Sequence, residues 1–346
     1  MAFSDKSSIY KEELIVKDYL SFTDKLNNFL LWVWNPERRE IFGRDGLSWA
    51  RLGLFYACFY MTIAGKFSIM LAIFMAIIDK REPTYYNEFS VMWQQKVDDI
   101  HVGVSPGVGF RPQKDPITTL IRVKSSEKNM SHPHSYMHYV SLLDEFLSTY
   151  LIVDKRGEQI INCDFSKDPV ELEKQFSANK VCRFEIVEMF GPNNMCIQTR
   201  NYEYDKSKPC VLLKLNKIYG WKPEAYAPND RLPSELVPYE ALVRANPRNV
   251  FILCNGEFQV DMDFTGQITY FSLTPDGQGR APIGFIPFYY FPYKNQDGYR
   301  SPLVFAYFSN ITTNVLVNVV CKAYAKNIYR NNLYRIGAVH FEIMID

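Results

Sequence analysis

The chain has 346 residues, a formal net charge of +1 at pH 7 and a mean hydropathy of −0.19. The nearly neutral balance implies neither a nucleic-acid partner nor an acidic surface, and the hydropathy excludes a protein with many membrane spans. The 25 Phe and 23 Tyr favour a β-rich fold with large contact surfaces.

The N-terminal part predicts a short cytosolic arm (residues 1–51) and then a membrane span. The arm ends with Trp32, Trp34 and Trp49 among four arginines, a composition typical of the membrane–water interface. The apolar run at residues 52–78 would form a helix of roughly 40 Å, long enough to cross a bilayer. It starts too late for an ordinary cleaved signal peptide and lacks a polar face, so we predict an uncleaved signal-anchor. Cys58, inside the run, is expected to be a free, buried thiol.

Three features predict a type II orientation, with a cytosolic N-terminus. Four arginines precede the apolar run, whereas only Lys80 and Arg81 follow it closely. Both N-x-S/T sequons, at Asn129 and Asn310, come after the run. So do six of the seven cysteines, which suggests three disulfides in an oxidising compartment: Cys163, Cys182, Cys196, Cys210, Cys254 and Cys321.

Beyond the span we expect an extracellular stalk at residues 79–112 and a β-sandwich ectodomain at residues 113–346 with short helical insertions. Helical spacing of apolar residues predicts a helix within 134–153. A second helix is predicted at 168–176, with Asp168 as N-cap, Pro169 at the first helical position and Glu171 completing a capping box.

Runs of β-branched and aromatic residues predict the strands of an antiparallel sandwich. They lie at 211–221, 249–260, 266–273, 301–309, 314–325 and 337–345. Cys254 and Cys321 fall inside two of these runs and are candidates to join the two sheets.

Two motifs suggest chemistry, and each has a simpler explanation. Asp261 and Asp263 form a D-x-D pattern, which type II Golgi glycosyltransferases use to hold a divalent metal; on one face of a strand, two such carboxylates are more often solvated. His132, His134 and His138 have zinc-like spacing, but Pro133 favours a solvated loop entering a helix. The sequence contains neither a P-loop, a nucleophile elbow nor H-E-x-x-H, so we predict no catalytic residue and no cofactor.

Several segments resemble the β subunit of the animal Na+/K+-ATPase, and their residues look closer to those of invertebrate members. The resemblance runs through most of the chain, at residues 34–60, 106–112, 208–224, 289–293 and 302–312. It implies an immunoglobulin-like ectodomain with cysteines paired in sequence order: Cys163 with Cys182, Cys196 with Cys210, and Cys254 with Cys321. The related H+/K+-ATPase β subunit has the same architecture, but the presence of only two sequons favours the Na+/K+ pump.

The resemblance also implies a role and partners. The chain would be a non-catalytic subunit at the plasma membrane that helps the catalytic α subunit fold, escorts it and tunes its K+ handling. A small single-span regulatory subunit and membrane lipid are further candidate partners. An independent adhesion glycoprotein and the glycosyltransferase are the alternatives.

Candidate partner contacts lie inside and outside the membrane. On a helical projection Tyr56 and Tyr60 share a stripe beside a face of small residues, and the resemblance implies that both, with Phe59, pack against α. Tyr also anchors spans at the interface, which is the simpler interpretation. Outside the membrane the candidates are Tyr219, Trp221, Tyr289 and Tyr290, although a place in the sandwich core is an equal expectation for any one of them.

Lys66 departs from the resembling family, where an apolar residue is usual. A lysine at a span centre costs about 2.5–3.5 kcal/mol on insertion scales. It either extends towards the nearer surface or faces the pump and alters ion handling. It lies about 80° from the Tyr56 stripe, so contact with the pump is compatible with the projection.

Overall fold

The structure is a computed structural model that describes residues 21–79, 82–86, 94–97, 100–103, 105–151, 159–177, 179–186, 194–329 and 336–346. By its internal contacts the chain divides into two compact units, Met1–Asp79 and Lys80–Asp346.

The described part of the first unit, residues 21–79, contains two helices joined by a hairpin. Helix α1 (Phe22–Val33) leads into strands β1 (Trp34–Asn35) and β2 (Glu40–Ile41), and helix α2 (Gly46–Ile77) follows. Within the described residues, α2 is the one helix that is long and apolar enough to cross a membrane. This confirms the predicted apolar helix.

Helix α2 starts before the predicted residue 52 because a polar cap precedes it. Asp45 Oδ1 accepts a hydrogen bond from Ser48 N at 3.2 Å, which satisfies one free N–H of the first turn. Cys58 is free as expected, but its side chain is exposed on the helix and does not lie in a protein core.

The second unit is mostly β. The strands of its two five-stranded sheets are β5 (Val108–Arg111), β6 (Leu120–Val123), β9 (Cys210–Leu215), β10 (Val250–Gly256), β11 (Ile268–Phe271), β12 (Arg280–Ala281), β13 (Gly284–Ile286), β14 (Leu303–Phe308), β15 (Leu316–Tyr324) and β16 (Ala338–Ile345). One sheet has the order β13-β10-β15-β16-β6 and the other the order β12-β11-β14-β9-β5. The described residues of this unit also form two small strand pairs: β3 (Gln94–Val97) with β4 (Ile100–Gly103), and β7 (Ile160–Ile161) with β8 (Val181–Cys182).

The two large sheets share one core. Phe110 of one sheet stacks on Phe341 of the other at 4.8 Å between ring centroids, and Phe308 meets the same ring edge-on at 6.4 Å. All three side chains are buried because alternate residues of each strand point inward. The structure differs from the sequence prediction in two ways. Strand β6 pairs with β16 in parallel, so the sheets are not wholly antiparallel. Strand β5 is part of a sheet although it lies inside the expected stalk, residues 79–112.

Helices lie between the strands along the chain. They are α3 (Tyr136–Leu151), α4 (Pro169–Ser177), α5 (Glu240–Ala245) and α6 (Gln259–Thr265), with 3-10 helices at Gln198–Lys206, Ser234–Tyr239 and Phe288–Tyr290. The two predicted helices are confirmed as α3 and α4. Helix α4 begins at Pro169, and Asp168 Oδ1 accepts from Val170 N at 3.0 Å.

Each of the six predicted strand runs contains a strand, but the run at 249–260 ends early. Strand β10 stops at Gly256, and α6 follows where the sequence predicted more strand. A Cβ at Gly256 would lie 2.3 Å from the backbone of Asp261 and Met262, so only glycine lets the helix fold back this closely.

The disulfides join Cys163 to Cys182, Cys196 to Cys210, and Cys254 to Cys321. The last pair corrects the expectation of a bridge between the sheets. Cys254 and Cys321 are directly opposite on the neighbouring strands β10 and β15, with 3.9 Å between their Cα atoms. The bond therefore ties two strands of one sheet together.

Candidate functional site

The aromatic residues proposed inside the membrane form a continuous ridge on α2. Tyr56 and Tyr60, one turn apart, stack at 6.1 Å between ring centroids, and Phe59 contacts the Tyr60 ring edge-on at 5.5 Å. All three are exposed, as is every other residue from Gly53 to Ile77. A ridge of this kind gives a second helix large rings and two hydroxyls to pack against.

Lys66 lies on the same helix, also exposed. One turn earlier, the hydroxyl of Thr62 donates to Cys58 O at 2.8 Å, so that polar group is satisfied within the helix. Among the described residues, the amine of Lys66 makes no comparable hydrogen bond. Its partner must therefore come from another molecule, from lipid headgroups or from water.

Of the four aromatic candidates in the β domain, three lie in the core and one lies at the surface. Trp221, Tyr289 and Tyr290 are each only 4% exposed. Trp221 packs edge-on against Phe291 at 5.2 Å between ring centroids, and the Tyr290 hydroxyl donates to a backbone oxygen of the chain, Arg183 O, at 2.8 Å. These three side chains are part of the fold and are not displayed to a partner.

Tyr219 remains at the surface, half-buried, in a small cluster of rings. Its ring lies 4.9 Å from that of Tyr86 and 6.5 Å from that of Tyr293. Lys217 Nζ lies 4.9 Å from the Tyr293 ring centroid and 5.1 Å from that of Tyr299. Burial lowers the pKa of Lys217 because the charged amine is partly removed from water. Sequence analysis missed Lys217, and it covered Tyr293 only within the aromatic segment at 289–293.

The D-x-D interpretation fails on geometry. Asp261 and Asp263 lie on α6, where residues two apart point about 200° away from each other. Asp261 is buried and accepts hydrogen bonds from Phe258 N at 3.3 Å and Asn318 N at 3.1 Å, whereas Asp263 is exposed. The two carboxylates therefore cannot share one metal ion.

The histidine motif is a turn entering α3. His134 N donates to His132 Nδ1 at 3.2 Å, which uses that ring nitrogen within the loop. Burial and the nearby positive charges of Lys114 and Arg122 lower the pKa of His134. Among the described residues, no group of three or more His, Cys, Asp or Glu side chains is arranged to hold a metal.

Both sequon asparagines are exposed, as a glycosylation site requires. Asn129 sits in a turn where its Oδ1 accepts from Ser131 N at 3.0 Å. Asn310 follows β14, and Thr312 N donates to Phe264 O at 2.9 Å. Neither side chain is enclosed by the fold, so both are accessible in this conformation.

Comparison with known proteins shows which family combines such an apolar helix with a disulfide-bonded β domain. A family profile described as "Sodium / potassium ATPase beta chain" matches residues 20–341. The chain is 34% identical over 325 residues to sodium/potassium-transporting ATPase subunit beta-2 of Drosophila melanogaster, covering 91% of this chain and 90% of that relative. Subunit beta-1 of the same species is 31% identical over 328 residues, with 93% and 94% covered.

A more distant relative matches over the same extent. Subunit beta-1 of Tetronarce californica is 29% identical over 338 residues, which cover 94% of this chain and 97% of that relative. The similarity therefore includes both the helical unit and the β domain. Because the profile covers most of the chain and relatives match almost end to end, this chain belongs to the sodium/potassium ATPase β-chain family, whose members are non-catalytic accessory subunits.

Proposed function

We propose that this chain is the β subunit of a Na+/K+-transporting P-type ATPase and assembles with a separate catalytic α subunit. The observation that carries the proposal is the family match across both units of the chain. The chain assists the folding and membrane delivery of α and tunes its K+ handling. A small single-span regulatory subunit is a further candidate in the complex.

The proposed topology is a single-pass type II protein of the plasma membrane. Residues 1–51 form the cytosolic arm, residues 52–78, which include most of α2, cross the bilayer, and the residues from 79 onward are extracellular. Disulfides in the second unit alone support this orientation, because they form in oxidising compartments. In this topology the wild-type chain carries endoglycosidase-sensitive mass, and Asn129→Gln and Asn310→Gln each remove one increment of it. A wild-type chain with no endoglycosidase-sensitive mass would contradict the topology.

The proposed fold of the β domain is immunoglobulin-like. Two facing sheets with a buried core and connections that cross between sheets support it. The parallel β6–β16 pair and the helices between the strands would then be additions to that sandwich.

The proposed contact with α inside the membrane is the ridge of Tyr56, Phe59 and Tyr60. These rings are exposed on a helix in which no residue is buried. Lys66, on a neighbouring part of the helix surface, faces the pump or a water-filled crevice beside it. In the extracellular domain, Tyr219 and Lys217 are the proposed contact.

The deciding experiment is co-expression of tagged chain with a Na+/K+-ATPase α subunit, followed by mild-detergent purification and an ouabain-sensitive ATPase assay. Active pump that appears only with this chain supports the proposal. A Tyr56→Ala, Tyr60→Ala double variant should lower the yield of complex, whereas Ile69→Ala, elsewhere on the same helix, serves as the matched control. Failure to capture or stabilise α would reject the proposal.

A further inference from the structure

Helix α1 has an apolar face that the fold leaves open. Phe22 is 81% exposed, Leu26 48%, and Phe29 and Leu30 55% each. On a helical projection these four fall within an arc of about 100°, while the polar residues Asp24, Asn27 and Asn28 occupy the opposite side. No residue of α1 is buried. Such a face in contact with water is unfavourable, so an apolar phase or partner must cover it.

The fold fixes how far α1 lies from the start of the span. The hairpin is hydrogen-bonded to α2, because Trp49 Nε1 donates to Ile41 O at 2.9 Å. The end of α1 is bonded to the same hairpin, through Phe42 N and Val33 O at 3.1 Å. Trp49 precedes the apolar run at residue 52 by three residues, a rise of about 4.5 Å. The C-terminal end of α1 is therefore held at the level of the membrane–water interface.

The charges of this segment show which feature of the membrane it would recognise. Residues 21–51 contain five basic and four acidic side chains, a net charge of only +1. Attraction to anionic headgroups is then weak, since each such contact needs an excess of Lys or Arg. Burial of the apolar face among acyl chains remains as the source of affinity.

We propose that α1 is an interfacial helix that lies in the plane of the cytosolic leaflet, with Phe22, Leu26, Phe29 and Leu30 among the acyl chains. The inference rests on the proposed membrane span of α2. The exposed rings of Trp32, Trp34 and Phe42 extend the apolar face from α1 towards the span. The partner is the bilayer itself, recognised through its apolar interior and not through a particular headgroup.

The test is a spin-label scan of the full chain, assembled with α in nanodiscs of neutral phospholipid. In a Cys58→Ser background, single cysteines carry nitroxides at each position from 22 to 33, and collisions with O2 and with a water-soluble nickel chelate are measured. Position 69 in the span is the reference for lipid. We expect the ratio of O2 to nickel collisions to oscillate with a helical period, highest at positions 26 and 29 and lowest at 27 and 28.

Any outcome other than this oscillation would overturn the inference. Uniformly high nickel collisions would place α1 in water, and low collisions with both reagents at 26 and 29 would mean that protein covers the face. If position 69 behaves as lipid-exposed while α1 does not, this inference alone fails; if position 69 is also in water, the proposed span fails with it. Adding anionic lipid should leave the oscillation unchanged, and an oscillation seen only with anionic lipid would refute burial of the apolar face as its cause.

Discussion

Replacing Asp261 by alanine should destabilise the β domain strongly. Its carboxylate accepts from Phe258 N, at the start of α6, and from Asn318 N and Nδ2 on β15, all between 3.1 and 3.4 Å. Asp261 therefore ties the helix to the sheet. Hydrogen bonds to a charged group contribute about 1.5–3 kcal/mol, and half-buried Asn318 recovers part of the loss through water. We expect the free energy of unfolding to fall by about 3 kcal/mol.

The measurement is urea unfolding of the secreted β domain followed by circular dichroism. Asp263→Ala is the matched control, because that carboxylate is exposed on the same helix and should change the free energy by less than about 0.5 kcal/mol. Asp261→Asn, which keeps one acceptor oxygen, should fall between the two. Equal losses from both alanine variants would refute the argument. So would a Mn2+-dependent rise in Tm that both variants abolish, since that would indicate a shared metal.

Three further predictions test other parts of the chain. Burial raises the pKa of Tyr139 from 10.0 to about 12, so the folded state loses stability as the pH rises from 10 to 12. In Tyr139→Phe the urea midpoint should fall less steeply over this pH range, and an unchanged slope would contradict the prediction. Removing both cysteines of the Cys254–Cys321 disulfide should lower the free energy of unfolding by about 4 kcal/mol, and removing the Cys196–Cys210 pair by about 3, because the paired cysteines are 67 and 14 residues apart in sequence. Calorimetry that gives the reverse order would be inconsistent with the loop-entropy account. Lys66→Ile should leave assembly with α intact but shift the K+ activation and voltage dependence of pump current, with Lys66→Arg as the charge-retaining control; unchanged current with Lys66→Ile would mean that this lysine has no role in ion handling.

Local patterns were sufficient for most elements of the fold. The apolar run that became α2, the spacing in α3 and the cap of α4 each depend on residues close in sequence, whose preferences act without the rest of the chain. The strand runs were located for the same reason, because β-branched and aromatic residues favour an extended, half-buried backbone wherever they cluster.

The candidate sites were less predictable because burial is a property of the whole fold. Tyr219 and Trp221 are two residues apart, yet one is at the surface and the other is in the core. Nothing in their local sequence distinguishes them, since both residue types are common in cores and at interfaces. Likewise, the D-x-D pattern could not be assigned to a strand or a helix until the close approach at Gly256 was known.

The sequence by itself determined that this protein has one long apolar helix, a cysteine-rich β domain and a resemblance to a pump subunit, because length, hydropathy and residue spacing are local quantities. Only the tertiary structure decided that the Cys254–Cys321 disulfide lies within one sheet, that β6 joins β16 in parallel, and that Asp261 connects a helix to a strand. These depend on which distant segments become neighbours. That choice is made by the packing of the whole core, where many weak contacts act together.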